Sequence, residues 1–218
     1  MLFQDREEAG RSLAIKINSL RTQPLMKPSK NKFPPDTIVL GLARGGVPVA
    51  KEISRYLQIP MDCMIIRKIG HPKNEEFAIG SIGPYGMHQW DSLASYVSFD
   101  YLSNAVEAAQ MELNRRESLY RHGRPPLGDI VRGMHVILAD DGIATGTSMM
   151  LAIAICRHIG AASITVSAPI TSPEVAHRLR TMADQVITLY EPVDFMAVGT
   201  FYANFPQLTD AEVVKYMS

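Results

Sequence analysis

The chain has 218 residues, 46% of them hydrophobic and 20% charged, enough to bury one core and ordinary for a folded globular domain. Its 22 Lys and Arg balance 22 Asp and Glu, so there is no overall basic field to attract nucleic acid, only room for local basic patches. The charge-rich start "MLFQDREEAGRSLAIKINSL" does not read as a signal peptide, no apolar run reaches membrane-spanning length, and Cys63 and Cys156 lack metal spacing and read as buried reduced thiols of a cytoplasmic protein.

Ala9, Leu13, Ala14, Ile17 and Leu20 put an apolar stripe on a first helix near residues 5–21. The Pro- and Lys-rich "PLMKPSKNKFPPD" (24–36) reads as a linker. "TIVLGL" (37–42) is a short buried strand, 47–57 has helical spacing, and "MDCMIIRK" (61–68) is a second strand. The polar, glycine-containing "KIGHPKNEEFAIGSIGPYG" (68–86) follows as a loop. Leu102, Ala105, Val106, Ala109, Leu113 and Tyr120 recur at helical intervals and predict a long amphipathic helix over 101–121. "HVILAD" (135–140) and "SITVSAPI" (163–170) are strands flanking a helix at 149–158; "EVAHRLRTM" (174–182) is a short helix and "QVITLY" (185–190) a last strand. Strands alternating with helices predict an α/β fold, a parallel sheet covered on both faces, with ligands beyond the carboxyl ends of the strands.

"VILADDGIATGTS" (136–148) carries the chemistry. Asp140 and Asp141 close a strand, and Gly142, Ile143, Ala144, Thr145, Gly146, Thr147 and Ser148 lead into a helix. Unpaired N–H groups at a helix start carry partial positive charge and suit a phosphate; the glycines admit close approach and the hydroxyls add donors. Carboxylates accept hydrogen bonds only, so the two acids suit the diol of a ribose, directly or through Mg²⁺. One sugar 5-phosphate satisfies the whole loop. Thr147 stands where a triphosphatase loop needs Lys, and the glycine spacing does not fit a dinucleotide fingerprint. A bare Asp-Gly turn with a threonine-rich helix cap is the structural alternative.

This stretch resembles the phosphoribosyl pyrophosphate motif of type I phosphoribosyltransferases. The resemblance, to a branch of poorly characterised predicted phosphoribosyltransferases, extends over nearly the whole chain through "DREEAGRSLA", "GLARGGVPVAKEI", "RKIGHPKNEEFAIGSIG", "NRRESLYR" and "AVGTFYANFPQLTDAEV". It implies one domain over 1–218: a five-stranded parallel core with helices on both faces, under a small hood built from the N-terminal helix and residues 190–218, with a flexible loop at 67–80.

In "GLARGG", Gly45 and Gly46 free the backbone and Arg44 offers a planar charged fork for phosphate oxygens, where a simple turn with an exposed arginine is the alternative. The resemblance implies that Ala43 to Gly46 hold pyrophosphate around a non-proline cis peptide at Ala43–Arg44 or Arg44–Gly45. It implies that Arg67 and Lys68 begin the loop that closes over the reacting centre and meet pyrophosphate; Lys73, Glu75, Glu76 and His71 also lie in that loop, where a solvated charge run is the plainer reading. Arg115, Arg116, Arg121 and Arg124 suit a helix C-terminus, with pyrophosphate or RNA contact as the other reading. Phe195, Phe201, Tyr202 and Phe205 read first as core, and the resemblance makes Phe195 and Tyr202 candidates to stack on a base.

The resulting expectation is a Mg²⁺-dependent phosphoribosyltransferase of nucleotide metabolism that moves ribose 5-phosphate from phosphoribosyl pyrophosphate to a small-molecule acceptor, a nitrogenous base. Arg44, Lys68, Asp140 and Asp141 are its catalytic residues, and the metal is held by Asp140 and Asp141, directly or at one remove. No membrane or nucleic-acid partner is expected, and a homodimer is compatible. The rival reading is a non-catalytic phosphoribosyl pyrophosphate sensor acting on a protein or RNA.

Overall fold

The computed structural model describes residues 2–21 and 34–218, so the linker expected at 24–36 lies outside the described residues apart from its last three. In chain order the elements are α1 (Arg6–Arg21), β1 (Thr37–Ala43), α2 (Gly46–Leu57), β2 (Met61–Ile65), β3 (Arg67–His71), β4 (Asn74–Ile82), β5 (His88–Trp90), α3 (Phe99–Tyr120), α4 (Leu127–Val131), β6 (His135–Ala139), α5 (Thr147–Ile159), β7 (Ser163–Ile170), α6 (Pro173–Arg180), β8 (Gln185–Tyr190) and α7 (Asp210–Met217).

A five-stranded sheet in the order β2-β1-β6-β7-β8, parallel throughout, is the core, as expected. Its strands are apolar on both faces because both are covered. Val136 and Leu138 of β6 join Ile38, Leu40 and the α5 residues Leu151, Ala152 and Ile155 on one side. Ile137 and Ala139 join Val39 and the α1 and α2 residues Leu13, Ile17, Val49 and Ile53 on the other. Alternation within a continuously oily strand thus feeds two separate clusters. β1 and β6 lie side by side at the centre, so the loops leaving their carboxyl ends are neighbours.

The segment 67–80, expected as a loop, is an antiparallel β3–β4 hairpin extended by β5 into a second sheet. Ile69, Ile79 and Ile82 are buried against Ala109, with Leu102, Ala105 and Val106 of α3 packed beside them. Those buried isoleucines are interspersed with glycine and charge, which hides them in the sequence. The strand expected over 61–68 is accordingly two strands, parting at Ile66. α4 and α7 have no counterpart in the sequence reading; α7 begins with a capping box in which the Thr209 hydroxyl accepts from the Glu212 N–H while the Glu212 carboxylate accepts from the Thr209 N–H.

The basic end of α3 is partly structural. Arg121 donates to Asp62 from Nε at 3.1 Å and from Nη2 at 3.2 Å, and to the Pro125 carbonyl at 2.7 Å. Arg124 donates to the carbonyls of Met61 and Met217. Neither guanidinium is therefore free for pyrophosphate or RNA, unlike the reading that left that open. The Arg121 and Asp62 side chains are only 5% and 3% exposed, so removing one partner strands a buried charge. Asp62→Ala is expected to destabilise the chain by about 3–5 kcal/mol in urea unfolding; a loss below about 1 kcal/mol would show that water reaches Arg121.

Candidate functional site

A cleft of about 610 Å³ opens beyond the carboxyl ends of β1 and β6. Of the residues expected in a ligand site, Ala43, Arg44, Gly45, Arg67, Lys68, Asp140, Asp141 and the run Gly142 to Ser148 all line it. Gly46, Phe195 and Tyr202 do not.

Two glycines are demanded by close approach. A Cβ on Gly45 would lie 2.0 Å from Asp141 Oδ2, so a side chain there would evict the carboxylate. A Cβ on Gly46 would lie 2.3 Å from the Ala139 carbonyl oxygen, so the glycine lets the start of α2 seat on β6. The Ala43–Arg44 peptide is cis, at one of the two expected bonds.

The two acids are not equivalent. Asp141 Oδ2 accepts from Arg6 Nε at 2.7 Å, and its backbone carbonyl accepts from the Tyr202 hydroxyl at 2.5 Å. Arg6 is 8% exposed; it also donates to the Pro206 carbonyl at 2.9 Å, and its guanidinium sits 3.8 Å from the centre of the Phe205 ring. Among the described residues Asp140 is supported locally: its Oδ1 accepts the Asp141 N–H at 2.9 Å. Burial, then the neighbouring Asp141 charge, hold the Asp140 carboxyl well above the ordinary carboxylate range, with Lys68 opposing. Burial also raises Asp141, against the pull of Arg6.

The following loop is pinned at its middle. The Ile143 N–H donates to the Ile170 carbonyl at 2.9 Å, and the Thr171 hydroxyl donates to the Ile143 carbonyl at 2.9 Å. Gly146 then takes φ +79°, a left-handed conformation, and caps α5 with no side-chain acceptor. The first N–H groups of the 13-residue α5 therefore face the cleft beside the Thr145 and Thr147 hydroxyls, which lie 3.2 Å apart. Such a helix start has the donors to hold an anion.

Arg44, Arg67, Lys68 and Arg116 line the cleft with the two acids. Arg44 Nη1 lies 3.9 Å from Asp210 Oδ1. Tyr202 is 4% exposed, packs on Phe3 and Phe205, and braces Asp141 through its hydroxyl; it is a core residue and is not free to stack on a base. Phe195 stacks on Phe201 at 5.8 Å, away from the cleft. The aromatic that does line the cleft is Phe205, and Arg6, Arg116, Val198, Gln207 and Leu208 join it. Of these six only Arg116 was given a ligand contact from the sequence, as the second reading of its basic segment; the one signal pointing at Arg6 and Phe205 was the resemblance of the segments containing them.

Among the described residues no group of three or more His, Cys, Asp or Glu forms a metal site. Asp140 and Asp141 still suit Mg²⁺, a hard cation commonly bound by one or two carboxylates with the remaining oxygens supplied by substrate and water. Asp140 is the acid left open for it, because Arg6 takes one oxygen of Asp141.

A family model described as "Phosphoribosyl transferase domain" matches residues 5–200. The Mycobacterium tuberculosis (strain H37Rv) protein named "Putative phosphoribosyl transferase Rv0571c" is 37% identical over 219 residues, which cover 99% of this chain and 46% of that one. The chain thus spans about half the length of the curated relatives it matches. Among solved structures, TT1426 from Thermus thermophilus is 36% identical with a TM-score of 0.76, covering 100% of this chain and 98% of that one. The AQ2163 protein from Aquifex aeolicus, 11% identical with a TM-score of 0.51 over 84% of this chain and 73% of that one, shares the fold.

A carboxylate whose folded-state pKa is raised opposes folding while charged, above that pKa, and the penalty is relieved as pH falls toward the unfolded value. Asp140→Asn should therefore melt at a higher temperature than the parent at pH 7 without ligand, with the gap closing toward pH 4. A gap that stays constant or grows in acid would show that burial does not strain Asp140.

Proposed function

The chain belongs to the phosphoribosyl transferase domain family, and from that premise we propose that it transfers ribose 5-phosphate from phosphoribosyl pyrophosphate to a nitrogenous base and releases pyrophosphate. The observation that carries this reading is the join of β6 to α5. Two carboxylates and the start of α5, which has no side-chain cap, line one cleft through the loop that joins them, and Arg44 lines it too.

Asp140 accepts from the ribose hydroxyls, and Asp141, its charge fixed by Arg6, holds the register of the loop. Residues Ala144 to Ser148 bind the 5-phosphate through α5 N–H groups and threonine hydroxyls. At the other end Arg44 and Lys68 neutralise pyrophosphate as the glycosidic bond breaks. Electron density leaves C1 with the pyrophosphate oxygen and an acceptor nitrogen replaces it, so catalysis is chiefly positioning and charge stabilisation. Asp140, the acid not engaged by Arg6, would hold Mg²⁺, which would supply positive charge to the phosphoribosyl pyrophosphate oxygens.

The β3–β4 hairpin, with Lys68 exposed on β3, is the lid that excludes water from the electron-poor C1. Cys63 and Cys156, free and buried, suit a reducing cytoplasm, and no helix among the described residues is long and apolar enough to cross a membrane.

A panel of nucleobases incubated with phosphoribosyl pyrophosphate and Mg²⁺ should reveal at least one that releases pyrophosphate. Silence across the panel, together with ligand-induced thermal stabilisation, would favour a sensor; no stabilisation at millimolar ligand would defeat both readings.

Asp140→Asn should weaken ribose 5-phosphate binding at least tenfold, since a bond to a charged acceptor contributes roughly 1.5–3 kcal/mol. Calorimetric titration of the variant with ribose 5-phosphate reads this, and unchanged affinity would reduce the acid to a turn residue.

A further inference from the structure

We propose that the acceptor is an uncharged heterocycle presenting a hydrogen-bond donor beside an acceptor, and that Gln207 determines this specificity by reading that edge. The inference rests on the transferase reading above and deepens it by naming the chemical class of the acceptor.

The C-terminal segment supplies Val198, Phe205, Gln207 and Leu208 to the cleft: three apolar side chains and one amide, none of them charged. This wall stands against the loop after β6. A Cβ on Gly142 would lie 2.4 Å from Val198 Cγ1, so Val198 packs directly on the residue that follows Asp141. Arg6 ties the two together again, donating to the Asp141 carboxylate and to the Pro206 carbonyl. A molecule held on this wall therefore lies beside the acids given to the ribose.

Arg6, the cation packed on the wall, is already engaged by Asp141, the Pro206 carbonyl and the Phe205 ring. Phe205 is engaged in turn by Arg6 and by Tyr202, whose ring centre lies 4.8 Å from its own, so it serves as an apolar boundary. Gln207 differs. It is exposed in the cleft and its amide has no hydrogen-bond partner among the described residues. An amide offers a donor and an acceptor side by side, and its complement is another such pair. A carboxylate only accepts, so it would satisfy half of the amide and find no charge to meet its own.

The remaining cations are met by the other substrate. Arg44, Arg67, Arg115 and Arg116 share the carboxylates of Glu112 and Asp210, an excess of two positive charges. Lys68 adds one and Asp140 removes one. Phosphoribosyl pyrophosphate with one Mg²⁺ bound carries roughly two to three negative charges, so it takes up the excess and leaves no cation for a charged acceptor. In the transfer itself the acceptor nitrogen bonds C1 as the C1–oxygen bond breaks. The electron pair leaves with pyrophosphate, which also takes the proton displaced from the nitrogen.

The test is pyrophosphate release from phosphoribosyl pyrophosphate and Mg²⁺ with adenine, hypoxanthine, guanine and uracil as uncharged acceptors, and orotate and nicotinate as carboxylates. Orotate is uracil with one carboxylate added, so that pair isolates charge. An uncharged base should be the best acceptor, with both carboxylates slower by about tenfold or more. Gln207→Leu should lower kcat/KM for that base about tenfold while ribose 5-phosphate, titrated by calorimetry, binds as in the parent. The nucleoside 5-monophosphate of the same base, titrated without metal, should lose affinity in parallel. Gln207→Lys should raise the carboxylates relative to the uncharged base, a change of ranking that a merely structural role would not produce. Orotate or nicotinate as the best acceptor, or rates and ranking unchanged in both variants, would overturn the proposal and leave the transferase reading standing. Release with no base at all would overturn that reading, and the proposal with it.

Discussion

The bond between Arg6 and Asp141 holds the site together. One guanidinium joins α1, where Arg6 is the first residue, to the loop after β6, and reaches the C-terminal segment through the Pro206 carbonyl and the Phe205 ring. Gly45 makes the arrangement possible by leaving room for Asp141, which couples the cis-peptide loop to the same contact. Loops from two adjacent strands, a helix from the start of the chain and a segment about 200 residues later therefore share one charged hub. A charge-assisted hydrogen bond of this kind contributes roughly 1.5–3 kcal/mol, and four segments depend on it.

The hub also sorts the charges of the cleft. With Asp141 answered by Arg6, Asp140 is the acid left unanswered by a guanidinium, and Arg44, Arg67, Arg116 and Lys68 line the same cavity. Both signs of charge therefore meet in one cleft, so a ligand carrying acidic and hydroxyl groups finds partners for each there.

What the sequence made legible was whatever its local pattern encodes. Oily runs such as "HVILA" gave the core strands, and the acids and glycines after them gave the loop at 140–148, because strand ends and helix starts are set by near neighbours. The hairpin at 67–82 was missed because Ile69, Ile79 and Ile82 owe their burial to α3, not to each other. Arg6 escaped notice for a similar reason: its partner Asp141 is 135 residues away, and on a helical wheel it is one more charge. Aromatic clustering signalled burial, which Tyr202 shows; it was the resemblance that made Tyr202 a candidate to stack on a base, and clustering does not say which ring faces a ligand. Phe205, three residues on, lines the cleft instead.

Residues 2–4 and 201–204 pair backbone to backbone: Leu2 and Phe3 donate to the Phe201 carbonyl, and Ala203 and Asn204 donate to Phe3 and Gln4. On a ribosome these partners are separated by the synthesis of about 200 residues. At about 5–20 residues per second, Phe3, 6% exposed in the finished fold, waits roughly 10–40 s for the segment that covers it. Arg6 waits equally long for Pro206. The last core strand, β8, ends at Tyr190, so the parallel sheet can be completed before the segment that walls the cleft has been made. Until Pro206 emerges the loop after β6 lacks the hub that orients it, and Phe3 is the apolar residue most in need of shelter.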